Sequence, residues 1–456
     1  MQSLKINNSF MSIKISLKKG FDLDILGGVS DMTPTAVDTS TVAIVPDDYP
    51  GFTPRQAVKE GDRVEAGQPL LHDKFNQQIK LVSPAAGIVK AVVRGERRKI
   101  ECVVVEVDNR VKELSATKPS VDNADDARAL LMQSGLWAMM RQRPYDIVPD
   151  PEAKPRDIFV TGFDSAPLAA PSTVYLSGKD AELAAGVELL SKLTDGKVYV
   201  SRHNGEALKD IPGAEMVDVS GPHPAGNAGV LIANVAPVNK GETVWCLDIV
   251  TLARIGATAL TGKTPTDTIV AVTGSEVEHP RLISTVIGAE LSALLAGNLK
   301  EETHHARIIS GNPLTGHRAD MDGYLRYPYT QITVIPEGDD VAEFMGWAAL
   351  SPKKSSVSRS FPGHFLHKKL NPDARLMGGR RAMIMSGEYD NVIPMDILAE
   401  YLIKAIISRN IDRMEALGIY EVAPEDFALA EYVDTSKLPL QQIVRDGLDF
   451  LRKELK

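Results

Sequence analysis

The sequence predicts an α/β multidomain chain, on three observations. Near the start, glycine turns alternate with short apolar strands; in the middle, strands alternate with amphipathic helices; at the end, helical periodicity replaces both. The expected parts are a biotinyl/lipoyl-like β-barrel over residues 11–115, a Rossmann-like α/β domain over 116–262, a small ubiquitin-like, SLBB-type α/β domain over 263–338 and a C-terminal helical domain over 339–456. A chain of 456 residues has room for about three or more such units, each with its own core.

The barrel is the most specific of these expectations. Between Val58 and Val89 the chain reads V-K-E-G-D-R-V-E-A-G-Q-P-L, eleven further residues, then S-P-A-A-G-I-V. Gly61-Asp62 and Ala66-Gly67 are tight-turn pairs, Val64 and Leu70 are strand residues between them, and Ser83-Pro84 with Gly87 turns the chain back. A hairpin then runs from Ile88 to Val107, where Val103, Val105 and Val107 alternate with other residues as a half-buried strand does. Asn123 with acids behind it is a helix start, and a proline-rich linker runs from Pro144 to Pro155.

The α/β reading begins with the strand at Ile158 that ends at Gly162. A helix over Glu182–Leu193 follows, with Leu183, Val187, Leu190 and Leu193 on one face, and then a strand at Lys197-Val-Tyr-Val. Thr268-Ile-Val-Ala-Val-Thr-Gly opens a third unit with a helix near Leu291, closing near Gln331-Ile-Thr-Val-Ile. The final helices are expected at Ile393–Leu417, Pro424–Tyr432 and Leu440–Leu455, with Pro394 and Pro424 early enough to start them.

Composition narrows the function. Lys+Arg 51 against Asp+Glu 60 gives a net charge of −9, which argues against a general nucleic-acid binder. Cys102 and Cys246 are the two cysteines, so this chain alone cannot ligate an iron–sulfur centre in the all-cysteine way, and a reducing compartment is expected. No stretch reaches the roughly 18 apolar residues of a membrane span, and Met1–Lys19 lacks a signal-peptide core; Met11 is an equal candidate for the start.

Several constellations could carry chemistry. Lys74, after Asp73, lies in the hairpin where carrier domains present their modified lysine, but off the centre of its tip, so a structural role is favoured. Ala257–Thr264 satisfies a relaxed phosphate-loop pattern ending in Gly262-Lys263-Thr264; however, a helix enters it and a strand leaves it, the reverse of what phosphate binding needs. Gly221-Pro-His223-Pro-Ala-Gly226-Asn227-Ala-Gly229 follows a strand, where nucleotides bind in α/β folds, without the dinucleotide spacing; it is either a stiff turn or the lining of a pocket or partner surface. His304-His305 and His364 with His367 lack completing ligands, so no metal site is expected. From Ser351 to Arg381 eight basic residues (Lys353, Lys354, Arg359, Lys368, Lys369, Arg375, Arg380, Arg381) face the single acid Asp373, with Phe361, Phe365 and Leu366 interleaved. Such a strip suits a membrane or partner surface, candidates being Lys368, Lys369, Arg380 and Arg381; a solvated face is the plain alternative.

The order of segments resembles one family: the A subunits of the sodium-translocating NADH:quinone oxidoreductases. The resemblance is carried by I-K-I-S-L-K-K-G-F-D-L, S-P-A-A-G-I-V, G-P-H-P-A-G-N-A-G, E-T-V-W-C-L-D-I-V-T-L-A-R-I-G, H-P-R-L-I-S-T-V-I-G-A, R-I-I-S-G-N-P-L-T-G, E-F-M-G-W, M-G-G-R-R-A-M and Y-D-N-V-I-P-M-D-I-L, in order from Met11 onward. It implies a peripheral subunit on the cytoplasmic face of the bacterial inner membrane, in a six-subunit complex that passes electrons from NADH to ubiquinone or menaquinone and exports sodium. It also implies a fold similar to the NADH- and flavin-binding subunit of respiratory complex I and to the C subunit of the Rnf complex. The complex so implied uses flavins (FAD, FMN, riboflavin), iron–sulfur, NADH and quinone; this chain is expected to bind none of these cofactors itself, since Ala, Glu and Asp fill Leu429–Asp434 where cluster cysteines would be sought. A quinone-site or assembly role follows from the resemblance, without a catalytic residue. Two other classes stay open: a carrier protein using Lys74, and a nucleotide-dependent enzyme using Gly262-Lys263-Thr264.

Overall fold

The computed structural model describes residues 12–108, 117–300, 305–339 and 369–455. Two small antiparallel sheets form the N-terminal barrel-sandwich. One has the order Thr41–Ile44, Ile100–Val107, Gly87–Arg94, Arg63–Val64, and the other Pro54–Gln56, Pro69–Asp73, Lys80–Val82. Gly61 (φ +87°) and Gly67 (φ +84°) make the two turns in the left-handed region that glycine adopts without penalty.

The second sheet has six strands in the order Ile13–Ser16, Glu215–Ser220, Val198–His203, Ile158–Thr161, Val244–Asp248, Arg141–Arg143. All neighbours are parallel except the last pair. Taken from Ile158 onward, its four central strands run 3-2-1-4, half of a doubly wound sheet, with the reversal of order between Ile158–Thr161 and Val244–Asp248. Helices Asp180–Ser191 and Ile249–Thr261 pack on one another against this sheet, and Ala228–Val235 packs on Ile158–Thr161.

One departure concerns the first strand. Ile13–Ser16 reads from sequence as the opening of the barrel, yet it lies parallel to Glu215–Ser220, Ile13 opposite Val217. Ile13 and Ile15 alternate with exposed residues and pack beside Val217 and Val219, so the open edge of the α/β sheet offers their apolar face a partner. Thr35–Ala36 likewise leaves the barrel and adds to the edge of the third sheet, whose order is His317–Ala319, Ala306–Ser310, Gln331–Pro336, Asp267–Thr273, Arg281–Val286, Thr35–Ala36.

The C-terminal module is helical, with Ala399–Ile407, Ile411–Ala416, Ala428–Val433 and Leu440–Glu454. The expected run from Ile393 to Leu417 begins only at Ala399, so Pro394 does not open it, and it is split: Arg409 (φ +52°) breaks it, and Asn410 then caps Ile411–Ala416 by accepting from Arg413 N–H at 3.0 Å. Pro424–Phe427 is a 3-10 turn rather than the first turn of an α-helix. No helix among the described residues is long and apolar enough to cross a membrane.

Candidate functional site

Parallel strands bring their carboxyl ends to one edge of the α/β sheet, and open sheets of this kind bind ligands outside that edge, at the reversal of strand order. Here the edge consists of the turn Gly162–Ser165, the loop Gly221–Asn227 and the helix start Asp248–Thr251. Each of the three is already engaged.

The glycine-rich loop is closed around His223. Gly221 has φ +136°, and a side-chain carbon there would meet Leu17 O at 2.7 Å, so only glycine fits. His223 is 3 % exposed; its N–H donates to Asp22 Oδ1 at 2.8 Å and its carbonyl accepts from Phe21 N–H at 2.8 Å. The Ser165 hydroxyl accepts from Gly226 N–H at 2.8 Å and lies within hydrogen-bond distance of His223 Nδ1, at 3.0 Å, the direction of that bond following the tautomer of the ring. The other ring nitrogen, Nε2, has no partner among the described residues. Burial pushes the imidazole down to about 4, and the ring is neutral at pH 7. A neutral, enclosed His–Ser pair without a carboxylate on the histidine lacks the third member of a nucleophilic triad.

The helix Ala228–Val235 that follows the loop would offer its N-terminal amides to an anion, but the protein supplies that anion itself. Asn227 Nδ2 donates to Glu425 O at 3.3 Å, and a side-chain carbon at Gly229 would lie 2.3 and 2.4 Å from the two oxygens of Asp426. The carboxylate of Asp426 therefore sits against the first turn of the helix, where the macrodipole favours negative charge. Arg143, 1 % exposed, reaches Asp426 Oδ2 at 3.4 Å, Glu425 Oε1 at 3.1 Å and Asp146 Oδ1 at 3.9 Å, and Ala423 N–H donates to Asp426 Oδ2 at 2.8 Å. Burial raises the carboxyl groups of both Glu425 and Asp426, while Arg143 opposes the shift.

The reversal point is covered from the third sheet. Asp248 caps Ile249–Thr261, accepting from Thr251 N–H at 2.8 Å and from its hydroxyl at 2.7 Å, so this helix start also carries its own carboxylate. The Tyr327 hydroxyl lies 3.4 Å from Thr251 Oγ and donates to Met139 O at 2.6 Å. Its ring stacks on Tyr49 of the barrel, centroids 5.3 Å apart and planes 3° apart. Gln331 Nε2 donates to Pro167 O at 3.1 Å. Asp48 joins the same junction, accepting from Arg326 Nε at 2.6 Å and Tyr327 N–H at 3.1 Å. Asp164 keeps contact with solvent in the Gly162–Ser165 turn, and the protein crowded around it raises its carboxyl above the usual range. These residues do not fit a dinucleotide phosphate: both helix starts are met by carboxylates, and the crevice holds protein.

The other sequence candidates fall elsewhere. Asp73 is buried and accepts from Thr53, Phe75 and Asn76 N–H, which makes it the anchor of the hairpin turn. Lys74 is exposed, its ammonium 5.2 Å from the centroid of the Phe75 ring, itself 79 % exposed. Gly262 is the left-handed C-cap of Ile249–Thr261 (φ +79°), so Gly262-Lys263-Thr264 stands at the negative end of a helix, where phosphate is disfavoured. His305 pairs with Asp339 at 2.8 Å; His304, His364 and His367 lie outside the described residues, among which no cluster of three metal-binding side chains occurs. Of the basic strip, Lys353, Lys354, Arg359, Phe361, Phe365, Leu366 and Lys368 are likewise outside the described residues. Lys369, Arg380 and Arg381 are exposed, and Arg375 pairs with Asp373 at 2.6 Å.

Three family models match: "NqrA N-terminal barrel-sandwich hybrid domain" over residues 15–108, "NqrA second alpha/beta domain" over 123–264 and "NQRA C-terminal domain" over 269–320. Among curated proteins, the chain is 37% identical to the A subunit of the Na(+)-translocating NADH-quinone reductase of Serratia proteamaculans, over 96% of this chain and 100% of that one. It is 36% identical to proteins of the same name from Photorhabdus laumondii and Neisseria meningitidis serogroup B, with the same coverage. A solved NAD+-reducing [NiFe]-hydrogenase structure is matched at TM-score 0.38 and 13% identity, over 74% of this chain and 63% of that one, a likeness too loose to define a fold.

Proposed function

From its place among the A subunits of the Na(+)-translocating NADH-quinone reductases, a family to which this chain belongs by identity of 36 to 37% along nearly its whole length, we propose that it serves such a reductase in that position. The complex couples electron transfer from NADH to quinone with sodium export. This chain contributes assembly or part of the quinone site rather than a redox centre of its own. The observation that carries the second statement is the carboxyl edge of the α/β sheet, where Asp426, Asp248 and Tyr327 take the places a nucleotide would need. Cys102 and Cys246 lie in different sheets and add no cluster.

A 3-2-1-4 parallel sheet followed by a small mixed sheet and a helical module supports kinship in fold with the flavin-binding subunit of complex I and the Rnf C subunit, as well as an SLBB-type identity for the third sheet. Flavins, iron–sulfur and NADH then belong to the other subunits of a six-subunit assembly, and ubiquinone or menaquinone is its acceptor. The chain attaches peripherally on the cytoplasmic face, through the strip that includes Lys368, Lys369, Arg380 and Arg381, lying against membrane subunits or anionic lipid. The residues Gly221, His223, Gly226 and Asn227 make a structural joint.

The test is reconstitution. Inverted membrane vesicles from cells that make the reductase without this chain should regain sodium-dependent quinone reduction by NADH when the purified chain is added. Full activity before the addition would overturn the reading.

A further inference from the structure

A component of a membrane complex needs a face for its partners, and the exposed apolar residues locate one. Seven of the fifteen large hydrophobic residues left exposed among the described residues fall between Leu376 and Ile407. The rest are scattered, and singly exposed apolar residues need no explanation. Ile384 and Met385 are 58 % and 41 % exposed, and Leu398 and Tyr401 are 57 % and 58 % exposed. These two pairs belong to one surface: Ser386 N–H and Gly387 N–H both donate to Glu400 Oε1, at 3.1 and 2.7 Å, which ties the chain after Met385 to the helix turn that carries Tyr401. Arg381 N–H donates to Ser436 O at 2.9 Å and Ile384 N–H to Ser436 Oγ at 3.3 Å, which ties both to one residue; Arg380 and Arg381 are exposed, and neither guanidinium is in an ion pair among the described residues.

We infer that this face, on residues 376–385 and the outer side of Ala399–Ile407, docks an extended, acidic, partly apolar segment of a partner protein; the inference rests on the functional reading above. Three observations choose that occupant. Methionine, tyrosine and arginine are the residue types enriched at protein interfaces, and the unbranched methionines adapt to what they meet. The guanidinium groups of Arg380 and Arg381 complement carboxylates, with a geometry suited to bidentate contact. The third separates protein from lipid. From Leu376 to Arg380, and again at Met383 and Met385, no backbone N–H finds a partner among the described residues. Such donors are costly if carried into hydrocarbon, so the exposed Ile384 and Met385 beside them are ill placed to insert into a bilayer, whereas the carbonyls and carboxylates of a partner segment can accept from them.

The experiment uses the full-length chain and three probes: vesicles from cells that make the reductase without this chain, vesicles from cells lacking the whole complex, and protein-free liposomes rich in anionic lipid. Binding is measured by co-sedimentation for wild type, Ile384→Ser with Tyr401→Ser, Arg380→Glu with Arg381→Glu, and Phe75→Ser at the distant barrel tip. The wild type should bind the first vesicles alone; both paired variants should bind about tenfold or more weakly while melting like wild type, and Phe75→Ser should bind normally. Retained binding by the paired variants, or loss at Phe75→Ser alone, overturns the face. Equal binding of wild type to liposomes overturns the protein occupant. Failure of wild type to bind any vesicle removes the functional reading together with the face, whereas binding that the variants retain removes the face alone.

Discussion

Arg143 illustrates how much of this edge depends on single residues. Its guanidinium is enclosed with Asp426, and removing one member of a buried pair leaves the other as an uncompensated charge. Arg143→Met is expected to cost about 3–5 kcal/mol, and adding Asp426→Asn should recover part of that loss because the most enclosed of the stranded carboxylates disappears. Denaturant melts of the two variants check this; a double variant less stable than Arg143→Met would refute the pairing. His223 makes a pH-dependent contribution of definite sign. Its ordinary value of 6.5 falls to about 4 on burial, so the folded protein binds a proton there less readily than the unfolded chain does. The stability it supports is complete above about pH 6.5 and is lost as pH falls toward 4, to the extent of about 3 kcal/mol. His223→Gln should flatten the fall in melting temperature between pH 6.5 and 4; an unchanged slope would assign the acid sensitivity to other groups.

At the scale of elements, helix Ile249–Thr261 was legible in part: the chain reads as a helix entering Gly262-Lys263-Thr264, and the structure adds that Asp248 and Gly262 cap its two ends. Gly262→Ala is therefore expected to cost over about 1 kcal/mol, since its added carbon would meet Thr117 O at 2.1 Å, and Lys263→Ala, one residue beyond the cap, to cost less than Gly262→Ala. Thermal melts compare the two; tight nucleotide binding abolished by Lys263→Ala would instead revive the phosphate-loop reading. The barrel hairpins were readable from turn glycines and apolar runs, whereas the strand Val244–Asp248 sits in an apolar run that continues into the next helix and gives no alternation to mark it. What local pattern could not provide was pairing across long separations. Ile13–Ser16 has an alternation that fits either the barrel or the α/β edge, and only the vacant edge beside Glu215–Ser220 decides. The Arg143–Asp426 pair spans 283 residues, and neither residue has a sequence neighbour that announces it. Tyr327 reads as one residue of a turn; its stacking on Tyr49 and its bond to Met139 require three modules to meet.

The whole molecule contains a core that ignores the module boundaries. Val42, Val64 and Val105 of the barrel, Trp137, Leu190 and Trp245 of the α/β domain, and Ala271 and Leu282 of the third sheet belong to one continuous buried cluster. The helical module has a separate cluster, built from Leu402, Ile403, Phe427, Val444 and Leu448, with Val230 as its fully buried member on the α/β side and Leu17, Phe21, Tyr145 and Ala233 packed against it. Contiguous apolar burial is what makes unfolding cooperative, so the barrel, the α/β domain and the third sheet should melt together and the helical module apart. Calorimetry should show two transitions, the larger belonging to the joint core. Tyr327→Ala removes a half-buried ring at the junction of the three modules, at a cost on the order of 2–3 kcal/mol, and should lower the larger transition as a unit. Arg143→Met loosens the attachment of Asp426 and should lower the smaller transition first, because that carboxylate belongs to the turn leading into the C-terminal helices. Limited proteolysis during the same temperature ramp identifies which segment opens. A barrel fragment released intact while the α/β domain is already cleaved would show that the shared core does not bind the modules into one unit.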